Sequence, residues 1–243
     1  MAPTRPAPDG FDAIPTTGRS ARPRLVIADA DGTLLRINSL FSLLRFDARR
    51  RNIRERGETF LADLRAHRER GAPREFTNRR YFTWWQDREV DEVANLALDW
   101  SSSALGPRSF FHPGVIAHVA RHVAAGRDLV VLSASFRPAL EPIVRRFPQA
   151  EVICTEPTVL DGRYTGEVEL PLVGEAKRQA VCDLLRRRNA DLADSIGYGD
   201  HHSDAPFMAL LGSRVVIGTR FDDISWAQRE LGSFELLDPG GSE

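Results

Sequence analysis

Lysine is almost missing from this chain of 243 residues: of its 33 strong bases, Lys177 is the one lysine and the rest are arginine. A compact ammonium is a different tool from a planar guanidinium fork, so a lone lysine raises the question of what Lys177 does that arginine could not. Cysteine is scarce too. Cys154 and Cys182 lie in apolar-rich runs without metal-ligand spacing, which excludes a disulfide framework and fits buried thiols in a reducing compartment. No apolar run approaches the ~18 residues of a membrane-crossing helix. The formal net charge of −1 offers no global field toward nucleic acid. Residues 1–23 are rich in Pro, Thr, Gly and Arg and lack an apolar stretch. They read as a disordered tail rather than an export signal, and a cytoplasmic location is expected.

What is there organises into an alternation. Short apolar runs at 25–28, 128–132, 151–154, 195–198 and 213–218 read as buried strands. Helical stretches separate the later ones, at 136–147, 175–189 and 204–212, the last ending on Gly212. Alternating strand and helix predicts an α/β fold with a doubly wound parallel sheet. Two alternating runs around a DG at 158–170 predict a small β-hairpin. Residues 39–107 break the pattern with helical periodicity and no convincing strand. They read as a helical cap inserted into a core made of 24–38 and 108–238. The span 36–80 holds 13 Arg against 6 Asp plus Glu. That surplus fits a solvated helix face, a positive lid over an anionic substrate, or a peripheral contact with an anionic membrane.

The chemistry begins at IADADGTLL, residues 27–35. Asp29 and Asp31 leave the carboxyl end of the first strand, where open α/β sheets hold their ligands. Two residues apart in extended chain, both carboxylates point the same way. Neighbouring carboxylates push their pKa values apart, so one can remain an ionised nucleophile while the other acts as an acid. Gly32 and Thr33 turn the backbone and can offer N–H groups to an anion. In LVVLSASF, residues 129–136, Ser133 and the backbone at Ala134 sit where the second core strand ends. Asp200 follows a strand and a glycine, and Asp204 opens the next helix. Carboxylates converging on that first strand make a hard, oxygen-rich site suited to Mg²⁺. His201 and His202 invite a zinc reading, but no second nitrogen or sulfur pair has ligand spacing.

The order D-x-D-G-T, Ser, Lys, G-D-x-x-x-D resembles that of the haloacid dehalogenase superfamily of phosphohydrolases. The resemblance implies a Rossmann-like core with a helical C1 cap and a Mg²⁺-dependent phosphomonoester hydrolase. It further implies that Asp29 attacks phosphorus to form an aspartyl-phosphate and that Asp31 is the general acid and base. Asp29, Asp31 through its backbone carbonyl, Asp200 and Asp204 would hold Mg²⁺, while Ser133 and Lys177 hold phosphoryl oxygens. The cap, SASF and TEPTVLDGRYTGE look like the phosphoserine-phosphatase-like branch, subfamily IB. DGTLLRINSLFSLLRF is similar to its broad small-phosphatase members. Phosphoserine phosphatases carry Glu nine residues after the nucleophile, where this chain has Asn38. A neutral amide cannot pair with an ammonium as a carboxylate does. The expected partner is a small-molecule phosphate ester, with phosphoserine, a lipid phosphate or an acceptor alcohol as alternatives. Asn38, Trp84 and Trp85 are candidate substrate contacts. The sequence leaves the oligomeric state open.

Overall fold

In a computed structural model, the structure describes residues 22–102, 110–219 and 221–240; the predicted tail at 1–23 lies almost wholly outside them. Strand β1 (Leu25–Ala28) is buried along its whole length. It pairs in parallel with β2 (Asp128–Ser133) on one side and β6 (Ile196–Gly199) on the other. With β3 (Glu151–Cys154), β7 (Ser213–Ile217) and β8 (Glu235–Leu237), it completes a parallel sheet of order β3-β2-β1-β6-β7-β8. The order reverses at β1, so the central strand is also the switch point, and a crevice opens beyond its carboxyl end.

Side chains of a strand alternate between faces, and both faces here are covered. Val26 and Ala28 join Leu129 and Val131 in one apolar cluster. Leu25 and Ile27 join Val130 and Leu132 in the other, against Val181 and Leu184 of α7 (Glu175–Arg188) and Phe207 of α8 (Ala205–Met208). Helices α1 (Ser39–Arg50), α2 (Arg54–Glu69), α3 (Arg74–Phe82) and α4 (Val90–Ser102) come after β1. Helix α5 (Pro113–Ala124) precedes β2, α6 (Glu141–Arg146) precedes β3, and α9 (Phe221–Glu230) precedes β8.

Local chemistry explains the departures from the predicted helices. The stretch at 136–147 opens with a 3₁₀ turn, Arg137–Leu140, before α6. Pro138 and Pro142 fall where the turns begin and supply no N–H. The helix expected over 204–212 ends at Met208. The Gly212 N–H donates to Leu192 O at 2.8 Å, which draws the chain off the helix axis. The predicted hairpin is present as β4 (Pro157–Leu160) and β5 (Arg163–Val168). Asp161 and Gly162 turn it with φ of 48° and 75°, the left-handed pair that a tight hairpin needs.

Helices α1–α4 pack over the sheet through one continuous apolar cluster, which runs from Val26 and Tyr198 to Leu43, Leu61, Tyr81 and Trp85. Asp47 is fully buried within it. Its carboxylate accepts from Trp84 Nε1 at 2.9 Å, Arg88 Nη1 at 2.9 Å and Arg51 Nη1 at 3.4 Å. Asp47 thereby ties α1 to the turn and loop after α3. Asp47→Ala would leave the Trp84 N–H without its acceptor and Arg88 with Glu92 alone. A loss of about 1–3 kcal/mol is expected in urea denaturation, the cost of a buried donor left unsatisfied, and Asp47→Asn, which keeps an acceptor for Trp84, should lose less. Equal stability of Asp47→Ala and wild type would show that the pair contributes nothing.

Candidate active site

The strand that organises the sheet also aims the first aspartate. The Asp29 N–H donates to Tyr198 O at 3.0 Å, which extends the β1–β6 ladder one residue past Ala28. The chain then folds back tightly: Gly32 N–H donates to Leu35 O at 2.7 Å and Leu35 N–H to Ala30 O at 2.8 Å. Gly32 has φ of +86°, and a Cβ there would sit 2.2 Å from Asp200 Oδ2. Glycine at this position lets the turn carry Asp31 back over the sheet end while Asp200 closes against its backbone.

Lys177, in the first turns of α7, is only 3% exposed. Its Nζ donates to Asp29 Oδ1 at 2.5 Å and to Asp204 Oδ1 at 2.7 Å, and it lies 5.8 Å from the Phe207 ring centroid. Burial works against the ammonium, but Asp204 and Asp29 outweigh it and hold the Lys177 pKa above its ordinary value. The three N–H groups of a lysine radiate from one atom, so two carboxylates can share it in a slot closed to a planar fork.

For Asp29, Asp31 and Asp200, burial outweighs any such compensation. Removal from water is the main influence on Asp29, which rises to about 6 even with Lys177 beside it. The same cause pushes Asp31 up to about 7, although its Oδ1 accepts the Ser39 N–H at 3.0 Å. Asp200 rises to about 8, through burial first and then the charges of Asp29 and Asp204. Oxygen atoms of Asp29, Asp200 and Asp204 lie within 4.8 Å of one another. The donor set is all carboxylate, crowded and short of positive charge, which fits a hard divalent cation such as Mg²⁺.

Above this floor lies a cavity of about 600 Å³ lined by Asp29, Asp31, Ser133, Ala134, Lys177, Asp200 and Asp204 together with α1, α2 and α3. The predicted motif residues, from four separated stretches, thus meet at one place. Ser133 is buried, and its Oγ accepts the Ser135 N–H at 3.1 Å. Asn38 lines the cavity and caps α1, its Oδ1 accepting from Phe41 N–H at 2.9 Å. Other expectations are corrected. Gly32 lines the cavity, but its N–H is engaged by Leu35 O rather than free for an anion, and the buried Thr33 steadies Asp200, its hydroxyl donating to Asp200 Oδ1 at 2.9 Å. Trp84 and Trp85 do not reach the cavity. Trp84 is tied to Asp47, and Trp85 packs on Phe136 with ring centroids 5.7 Å apart.

Three contacts between α1–α3 and the sheet loops went unread in the sequence. Ser39 Oγ and Ser135 Oγ are 2.8 Å apart, Asn78 Nδ2 donates to Ala134 O at 2.8 Å, and Arg74 Nη1 lies 2.8 Å from both His201 Nδ1 and Ser203 Oγ. Burial, with Arg74 next, pushes His201 down to about 4. Isolated polar side chains on helices, such as Ser39, Arg74 and Asn78, give no sequence signal of a long-range partner.

A parallel α/β sheet with paired aspartates at its central strand end and a buried lysine defines a hydrolase-type site of the Rossmann-like class. The chain belongs to the haloacid dehalogenase-like hydrolase family, whose model matches residues 26–209. A solved protein of unknown function from Bordetella pertussis Tohama I is 25% identical, with a TM-score of 0.78 over 90% of this chain and 100% of that one. A phosphoserine phosphatase in apo form shares the fold, at 16% identity and a TM-score of 0.60 over 88% of this chain and 94% of that one. The "Probable phosphatase Rv3661" of Mycobacterium tuberculosis (strain ATCC 25618 / H37Rv) is 35% identical over 99 residues, 41% of this chain and 34% of that protein. The aligned segment thus spans about a third of that curated relative's length.

The raised carboxylates set a pH dependence. Asp29, Asp31 and Asp200 titrate at about 6, 7 and 8 in the folded protein, against about 4 in an unfolded chain. Their contribution to stability is therefore fully present below about pH 4 and is lost as pH rises through those folded values. Chelator-treated protein should melt lower at about pH 8.5 than at about pH 5.5, and Asp200→Asn should flatten that slope. A thermal melt at the two pH values checks this, and a slope unchanged by Asp200→Asn would contradict the assignment.

Proposed function

We propose that this chain is a Mg²⁺-dependent phosphomonoesterase that works through an aspartyl-phosphate at Asp29. The observation that carries the reading is the shared ammonium: Lys177 Nζ lies between Asp29 and Asp204 at the base of a cavity that also holds Asp31 and Ser133. Phosphoryl transfer asks mainly for positioning and for positive charge against the equatorial oxygens. Bound Mg²⁺ would supply further positive charge there, held by Asp29, the Asp31 carbonyl and Asp200, with Asp204 in support.

The residues divide the work. An Asp29 oxygen bonds to phosphorus as the bond to the ester oxygen breaks. Asp31, with a pKa of about 7, carries a proton near neutral pH and gives it to the departing alcohol. Asp31 then takes a proton from the water that attacks phosphorus, which frees phosphate and restores the Asp29 carboxylate. The Ser133 hydroxyl and the third N–H of Lys177 hold phosphoryl oxygens. Residues 39–107 act as a cap over a core of 24–38 and 108–238, and α1–α3 form the wall against the alcohol. The substrate is a small-molecule phosphate ester. Phosphoserine itself fits poorly, because Asn38 stands where an acid would be wanted for its ammonium.

Phosphate release from a panel of esters, with Mg²⁺ or with chelator, tests the reaction. Asp29→Asn should lower kcat by at least about 10³-fold with the fold intact. Substantial turnover in purified Asp29→Asn would sink the nucleophile assignment. Lys177→Arg should lose about 10²-fold or more, since the fork cannot occupy the shared point-charge slot. Wild-type kinetics in that variant would return Lys177 to an ordinary buried base.

A further inference from the structure

Thr155 is the first residue past β3. It is 1% exposed and does not line the cavity. Yet it gathers three consecutive carbonyls of the loop that follows β2. Its N–H donates to Ser135 O at 2.9 Å and, at a longer 3.3 Å, to Ser133 O. Its hydroxyl donates to Ala134 O, between these two, at 3.0 Å. The same hydroxyl oxygen accepts the Leu172 N–H at 3.0 Å. A threonine hydroxyl has one proton to give and lone pairs to receive, and both capacities are used. One buried side chain therefore ties the Ser133–Ser135 loop to the segment that leads into α7 and Lys177.

The tie decides which way the loop's donors face. Across a trans peptide the C=O and N–H point in opposite directions. With Ser133 O drawn to Thr155, the Ala134 N–H is turned away from β3, and Ala134 lines the cavity. Among the described residues no hydrogen bond occupies that N–H, and a backbone donor away from bulk water needs an acceptor. The Ser135 N–H donates to Ser133 Oγ at 3.1 Å. That bond fills a lone pair of the Ser133 hydroxyl and leaves its proton to donate elsewhere. From the helical side, Asn78 Nδ2 donates to Ala134 O at 2.8 Å. The Ala134 carbonyl is thus clamped between the sheet end and α3, and its peptide has little freedom to flip.

We propose that Thr155 is a positioning residue for phosphoryl binding. It touches no ligand itself. By holding three carbonyls it points the Ala134 N–H and the Ser133 hydroxyl into the cavity together. Through Leu172 it also fixes how far that loop stands from Lys177. The assignment rests on the reading of the aspartate floor as the phosphoryl site. Transfer of a phosphoryl group is served by donors aimed before the reaction begins, and a displacement of about 1 Å costs on the order of 10²-fold in rate. Valine has nearly the shape of threonine but can make neither hydroxyl bond, so Thr155→Val removes this one oxygen and leaves the two backbone bonds in place.

The test compares wild type, Thr155→Val and Thr155→Ser in Mg²⁺-loaded protein. Inorganic phosphate is the probe, its affinity measured by calorimetry and its contact by the Ala134 amide resonance in NMR spectra. Thr155→Val should bind phosphate about 10-fold more weakly, the scale of a hydrogen bond to a charged group, with a smaller shift of the Ala134 resonance. On an ester that wild type hydrolyses, its kcat should fall about 10- to 100-fold with a smaller change in KM, because donors aimed at the phosphoryl group act most strongly in the transition state. Thr155→Ser keeps the hydroxyl and should recover most of each loss. A threonine that only braces the fold predicts a lower melting temperature for Thr155→Val with phosphate affinity and kcat unchanged, and that result would overturn the proposal. So would a wild-type Ala134 amide that does not respond to phosphate, a measurement that needs no variant to fold. Ester turnover is scored separately. Phosphate binding that depends on the Thr155 hydroxyl, without release from any ester, supports the positioning role and sinks the hydrolase reading. Release that Thr155→Val leaves untouched sinks the positioning role alone.

Discussion

A single ammonium buried between two carboxylates holds the centre of this molecule together. Lys177 reaches Asp29 on the central strand and Asp204 beyond β6, so three separate stretches of chain share one charge. Removing one member of such a group would leave the others buried and unpaired. The geometry answers why lysine survives in a chain that uses arginine everywhere else. The slot is narrow, its partners approach from two directions, and a planar fork suits neither. The same arrangement leaves the site short of positive charge, since Asp31 and Asp200 stand beside it without ion pairs among the described residues. Structural integrity and reactivity therefore depend on the same electrostatic deficit.

The sheet and the helical segment contribute differently to that centre. Parallel pairing on both sides of β1 fixes the strand that carries the first aspartate, and Asp29 is held by one further ladder bond. The helices α1–α3 instead reach the loops. Ser39, Asn78 and Arg74 each touch a segment carrying site residues: the Ser133–Ser135 loop or the stretch after Asp200. The helices thus help set the position of the Ser133–Ser135 loop while forming one wall of the cavity. Enclosure and assembly are joined in one set of contacts.

Much of this was legible in the sequence because strand ends and glycine turns are local. LVIA followed by DADG marks a buried strand and a carboxylate turn without any tertiary information, and the later strands repeat the pattern. The hairpin followed from a DG pair whose left-handed geometry the structure shows. The misreadings share a cause. Trp84 and Trp85 looked like substrate contacts because aromatic side chains serve cores and pockets alike, and only packing separates the two uses. The Gly32 N–H looked available to an anion, but the tight turn gives it to Leu35 O. The arginine surplus was visible as a count, but which guanidiniums are paired depends on helix rotation, which a count does not carry.

The scarcity that opened the sequence has a practical side. Lys177 is the chain's one ε-amine, and it lies 3% exposed at the floor of the cavity. Amine-directed acylation of side chains thus has a single address, and reaching it requires passage through the site. For this chain, side-chain labelling at that address reports both access to the cavity floor and release of the ammonium from Asp29 and Asp204. By the same logic, any lysine-directed modifying enzyme is denied a target on the folded surface, so such control would have to act on the unfolded or partly opened chain.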